Sequence, residues 1–306
     1  MERKRFLPSV AIISSAAVLA SFLVVSTIFG ASIPSSVTVG NAAPTVSSVV
    51  VNGGSSITLT PNTTTAVSVT ATIADNNGCG DVTGGTTTVL LYRANIGSST
   101  CLTSQSSLNC YLATAFTASS SCAGNAVNTT TTFNLQYFAQ ATDGSSTFSG
   151  VGWRATVVFK DPSNATGSFD SATTTLNSLT AINITTSSIN YGTLAASSTS
   201  GGTNQTTTIT NAGNTSTTLQ LSGTALVSGG TSIATSSQHY ATSTFTYGGG
   251  EQLLSGSAAA VSGFLLTAPT STTNVAGTIF WGVSVPAGSP TGTYTGTSTF
   301  TSVYST

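Results

Sequence analysis

Residues able to ligate, titrate or attack are scarce in this chain. The stretch DNNGCGD carries Asp75, Asn77 and Asp81, and Asp161 closes the run GWRATVVFKD. Three carboxylates and an amide gathered at one end of a fold would suit a calcium ion, which takes about six to eight oxygen ligands. The spacing is not that of an EF-hand loop. Asp and Asn also recur in turns simply because their side chains bond the nearby backbone. Both readings stand at this level: a calcium site at Asp75, Asn77, Asp81 and Asp161, or four turn formers. The same carboxylates are the one group that could serve glycoside hydrolysis, a role that such positions carry less often than turn formation.

Other chemistry is thinly supplied. His239, in SSQHYATS, is the one histidine. Beside Tyr240 it reads as a hydrogen-bonded or surface residue, not a catalytic base. Serine is abundant, but no G-x-S-x-G elbow occurs, and a triad would have to join His239 to Glu251, the sole acid after Asp170. The glycine runs GGTNQTTT and GGGEQ lack the lysine and the strand–loop–helix setting of a phosphate loop. The expectation is a protein without catalysis and without a cofactor, calcium excepted.

The elements that must position these residues follow from alternation with period two. In AVSVTATIAD, Val67, Val69, Ala71 and Ile73 share a face, with Ser68, Thr70 and Thr72 on the other. In GWRATVVFKD, Trp153, Ala155, Val157 and Phe159 face one way. Such runs are half-buried strands of antiparallel sheets, and Thr, the commonest outward residue, is β-branched and suits them. No window after residue 35 carries a helical stripe, so the class is all-β. Turn signals spaced as in a sandwich give a first domain over 44–175 and a second over 179–306, joined by the short TTTLNSLTAINI. The segment TTTITNAGNTSTTLQLSG reads as a hairpin turning at NAGN. Trp153 and Trp281 fall on apolar faces and belong in the cores. Tyr240, Phe245 and Tyr247 lie near a glycine run, where a loop mouth could meet carbohydrate.

All four cysteines fall in the first of these domains. If its strands run up and down in order, the loops after 66–74 and 110–117 share a pole. Cys79 then pairs with Cys122, and Cys101 with Cys110. A zinc site is the rival, but no CxxC occurs and an exported chain favours disulfides.

Export is written at the N-terminus. Arg3, Lys4 and Arg5 precede an apolar run from Val10 to Phe29, the pattern of a signal peptide that is also long enough to span a bilayer. Residues 1–33 are therefore a cleaved leader or a retained membrane anchor, and membrane attachment would run through this helix alone. Beyond it stand three bases and six acids, a net charge of −3. With no basic stripe, nucleic acid is excluded as a partner, and anionic lipid headgroups have nothing to hold. Ser and Thr make up over a third of the chain, and six N-x-S/T sequons occur, at Asn62, Asn128, Asn164, Asn183, Asn204 and Asn214.

The second half, with ITNAGNTSTTLQLSG and later IFWGVSVPAGSPTGTYTGTSTFTSV, resembles immunoglobulin-like modules of bacterial and archaeal surface proteins. Val285, Pro286, Gly288, Gly292 and Tyr294 match the turn that joins the last two strands of such modules. The first half, with GWRATVVFKD, looks like a related module. The resemblance implies two tandem immunoglobulin-like sandwiches on an exported surface protein, and it brings no catalytic residues. The expected role is structural or adhesive at the cell surface, with other surface proteins, copies of itself or surface glycans as partners. Charge-poor strands lack the edge lysines that block edge-to-edge pairing, so self-assembly through edge strands belongs to that expectation. A secreted carbohydrate-binding protein is the alternative.

Overall fold

The computed structural model describes residues 33–118 and 120–305. The leader or anchor expected over 1–33 falls almost wholly outside them. Among the described residues no helix is long and apolar enough to cross a membrane. Asn41–Thr306 forms one compact unit, all-β, with every pairing between its strands antiparallel.

The first part of this unit comprises β1 (Thr45–Val51), β2 (Thr64–Ala74), β3 (Thr86–Arg93), β4 (Cys110–Ala113), β5 (Thr117–Ala118), β6 (Ala126–Gln136), β7 (Trp153–Lys160) and β8 (Thr166–Asp170). They build two four-stranded sheets, in the orders β1-β2-β6-β5 and β4-β3-β7-β8. The longest ladder runs from Thr64 opposite Gln136 to Ala74 opposite Ala126. Along it Val67, Val69, Ala71 and Ile73 face Trp153, Ala155, Val157 and Phe159 of β7 across one core. The strands do not run up and down in order. The chain changes sheet between β2 and β3, β4 and β5, and β6 and β7.

The second part comprises β9 (Ile182–Ile184), β10 (Gln205–Asn211), β11 (Thr217–Gly223), β12 (Leu226–Ser228), β13 (Thr231–Ile233), β14 (Gln238–Ala241), β15 (Gln252–Leu253), β16 (Ala259–Ala260), β17 (Ala276–Val283) and β18 (Ser298–Tyr304). Its sheets run β15-β14-β17-β10-β9 and β16-β11-β18, with β12-β13 as a separate ribbon. They enclose a second core around Ile209, Leu219, Leu221, Tyr240, Ile279 and Trp281. Both tryptophans are fully buried, 0% exposed. Trp153 Nε1 donates to the Gln140 carbonyl at 2.9 Å and Trp281 Nε1 to Thr207 Oγ1 at 3.0 Å, so neither polar atom is left without a partner.

One further expectation from the sequence needs correction. TTTITNAGNTSTTLQLSG is not a hairpin: β10 pairs with β9 and β17, whereas β11 pairs with β16 and β18. NAGN is a corner between sheets, and it lets Ile209 face Leu219 and Leu221 across the core instead of lying beside them. The segment VPAGSPTGTY joins the last two strands, β17 and β18, as expected, and in doing so passes from one sheet to the other. Among the described residues two α-helices also occur, Cys79–Gly84 and Ser98–Thr103, each too short to display a helical stripe.

The two cores meet at a hydrogen-bonded junction. Asn62 N donates to the Ala212 carbonyl at 3.0 Å, and Asn214 N to the Leu179 carbonyl at 3.0 Å. A Cβ at Gly213 would sit 2.0 Å from the Leu179 carbonyl oxygen, so only glycine admits this approach.

Candidate functional site

The acidic residues expected to share a pole do meet. Asp75 follows directly on β2, and its backbone N–H bonds the Asn125 carbonyl at 2.9 Å. Its Oδ1 accepts from Asn77 N at 2.8 Å, which curls DNNGCGD into a tight turn. Gly78, at φ 103°, then turns the chain into the helix Cys79–Gly84, which presents Asp81 in its first turn. Asp161 follows directly on β7. Its Oδ1 accepts from Ala165 N at 2.9 Å and its Oδ2 from Asn41 Nδ2 at 2.8 Å. Carboxylate oxygens of Asp75, Asp81 and Asp161 lie within 4.8 Å of one another. Asn77 belongs to the same loop, and its Oδ1 accepts from Ala42 N at 2.6 Å.

The cluster is largely buried. Asp75 is 1% and Asp161 3% exposed, and Asp81 is half-buried. Asp75 Oδ2 is buried without a hydrogen-bond partner. The ion pairs found among the described residues are Arg154–Asp170 at 3.6 Å and His239–Glu251 at 2.9 Å, and neither involves the three aspartates. Two ionised carboxylates near 5 Å apart repel by about 3–4 kcal/mol at an effective dielectric of about 20.

A disulfide anchors the loop. Cys79 is bonded to Cys122, with Cα atoms 5.8 Å apart, which ties the acidic turn to the segment entering β6. The second disulfide, Cys101–Cys110, has Cα atoms 5.5 Å apart and lies in a small separate cluster with Leu90 and Tyr92. Among the described residues no cysteine is free.

A second polar cluster, assembled across the sheet, was not foreseen from sequence. His239 Nδ1 lies 2.9 Å from Glu251 Oε1, and Nε2 lies 3.0 Å from the Tyr247 hydroxyl. The His239 and Tyr247 rings stack with centroids 4.1 Å apart, and Gly248 N donates to Glu251 Oε1. Burial pushes the Glu251 carboxyl up, but hydrogen bonds from its own backbone, His239 and Gly248, with the His239 charge, outweigh it and hold the pKa at about 2. The one available signal was that the sole histidine and the sole acid after Asp170 stand twelve residues apart. With both ring nitrogens engaged, the cluster braces the 247–251 loop against β14. Tyr240 is buried in the core and Phe245 and Tyr247 are half-buried; they form no exposed aromatic row. An open groove lined by Ala113, Phe116, Thr117 and Thr131 carries no titratable side chain.

No protein-family model and no curated protein matches this chain. Solved structures that overlap it include dimeric latent PorU from Porphyromonas gingivalis, 10% identical over 81% of this chain and 24% of that one, TM-score 0.26. A chaperone–tip adhesin complex of CFA/I fimbriae biogenesis is 10% identical over 86% and 84%, TM-score 0.29. Escherichia coli alpha-2-macroglobulin activated by porcine elastase is 13% identical over 87% and 22%, TM-score 0.24. The chain thus spans about a quarter of the length of PorU. Scores this low do not establish a common fold.

Proposed function

We propose that this chain is a non-enzymatic, exported cell-surface protein, structural or adhesive, built of immunoglobulin-like modules that self-assemble through edge strands. Strand order supports the module type. The sheets β1-β2-β6-β5 and β4-β3-β7-β8 follow the A-B-E-D and C′-C-F-G arrangement of an immunoglobulin sandwich. In the second part β9-β10-β17-β14 repeats A-B-E-D, and β11 with β18 takes the places of C and F. Two disulfides fit an oxidising exterior.

The observation that carries self-assembly is β18. Among the described residues it pairs with β11 on one side only. Its sequence, STFTSVY, contains no charge. Phe300 on this edge is only partly buried against the core. An uncharged edge of seven residues with no second strand beside it among the described residues is a template for strand addition, here by a second copy. Negative-stain microscopy and light scattering of the purified ectodomain at rising concentration test this. Oligomers or filaments are expected; monomers at every concentration would overturn it. The carbohydrate-binding alternative draws nothing from the tryptophans, both of which are buried.

A further inference from the structure

We propose that Asp75, Asp81 and Asp161 hold a calcium ion that staples the 75–81 loop to the end of β7. Two independent observations meet here. The first is geometric: the three carboxylate oxygens lie within 4.8 Å of one another. Calcium–oxygen bonds measure about 2.3–2.6 Å, so oxygens on opposite sides of one ion stand about 5 Å apart. All three can therefore touch the same ion. The second is the state of Asp75, whose side chain is almost wholly buried while its Oδ2 has no hydrogen-bond partner. A buried carboxylate oxygen left without a donor is costly, and no ion pair among the described residues supplies a cation to it. A calcium ion, which carboxylates can grip through one or both oxygens, would give that oxygen a partner and offset the repulsion between neighbouring carboxylates.

Calcium is favoured over magnesium by the chemistry of the set. The donors are all carboxylate oxygens, carried by two loops and a short helix. Magnesium demands closer octahedral ligands at about 2.0–2.1 Å and gives up its own water reluctantly. Zinc in structural sites is held by thiolate and imidazole, and the nearest cysteine, Cys79, is locked in a disulfide.

The experiment uses the full-length protein, stripped with chelator and then titrated with calcium chloride in a calorimeter and in thermal melts. One calcium per chain is expected, with Tm rising by about 5–10 °C at a free concentration of 100 times Kd. Asp81→Asn, at the most exposed of the three positions, keeps the wild-type circular dichroism spectrum and binds calcium about 10–100-fold more weakly. No binding heat and a Tm indifferent to chelator would overturn the proposal. So would wild-type calcium affinity in both Asp81→Asn and Asp161→Asn, or magnesium binding as tightly as calcium.

Discussion

The side-chain amide of Asn214 reaches from the second core to the first and donates to the Ala139 carbonyl at 2.9 Å. The same group donates to the Asn177 carbonyl at 3.3 Å, and its Oδ1 accepts from Leu179 N at 2.7 Å. The residue is 8% exposed, so these bonds have no competition from bulk water. Two hydrophobic cores are thereby joined by one short polar side chain.

Asn214→Ala strands a backbone N–H and two carbonyls at that junction. Leaving buried groups unpaired costs about 1–3 kcal/mol each, and relaxation recovers part of it. The expected loss is about 2–4 kcal/mol by urea denaturation; a loss within error of zero would show that the junction stabilises nothing. The same burial bears on modification. Asn214 heads the sequon N-T-S, yet its nitrogen is committed to two carbonyls, so peptide mass spectrometry of the native protein should find it bare.

The two disulfides should differ in lability. Cys79 and Cys122 are half-buried, whereas Cys101 and Cys110 lie in the interior. Thiol exchange requires the attacking thiolate to reach a sulfur, so mild reductant under native conditions should open Cys79–Cys122 first, as alkylation and mass spectrometry would report. Stability should rank the same way. In the chain-entropy account, loops closed over separations of 43 and 9 residues are worth about 4 and about 2.5 kcal/mol respectively. Replacing the first pair by alanine should therefore cost more than replacing the second.

Glu251 gives the second part an acid limit. Its folded pKa, at about 2, lies below the ordinary 4.5, so unfolding raises its proton affinity. The stability it contributes is complete above pH 4.5 and is lost as pH falls from there toward 2. Asp143 acts in the same direction: burial pushes it up, but bonds from Ser178 and Ser145 outweigh this and lower it. Thermal melts across pH 6 to 2 should show the wild type losing Tm steeply below pH 4.5. Glu251→Gln, which does not titrate, should start lower and decline less. Parallel curves for the two proteins would remove Glu251 from the account.

How far the sequence could be read depended on what period two encodes. Alternation in β2 and β7 told which residues share a face, and Val67, Ile73, Trp153 and Phe159 are indeed core. It did not tell which strand lies alongside, and NAGN therefore read as a hairpin turn although it is a corner between sheets. Asp75 and Asp161 were visible as a pair because each directly follows a strand that ends at the same pole. The burial of Asp75, its unpartnered Oδ2 and the Asn41 contact to Asp161 were not visible, since they depend on how loops distant in sequence close over one another. The contact of His239 with Glu251 and Tyr247 was hidden for the same reason. It forms only when β15 folds back beside β14.

The edge of β18 can be closed without disturbing the module. Thr301 is exposed and pairs with Gln220 of β11, and its neighbours along the strand carry no charge. Lysine on an edge strand opposes the addition of another strand, because the incoming backbone would have to desolvate the ammonium or leave it clashing. Thr301→Lys should hold stability within about 0.5 kcal/mol of wild type, as surface substitutions usually do, while abolishing the oligomers expected in light scattering. Thr70→Lys is the matched control. Thr70 is also exposed, but β2 has partners on both sides, so the same added charge should leave assembly intact. If both variants assembled like wild type, the β18 edge would not be the contact. If both failed, added charge alone would be responsible, and strand addition would lose its support.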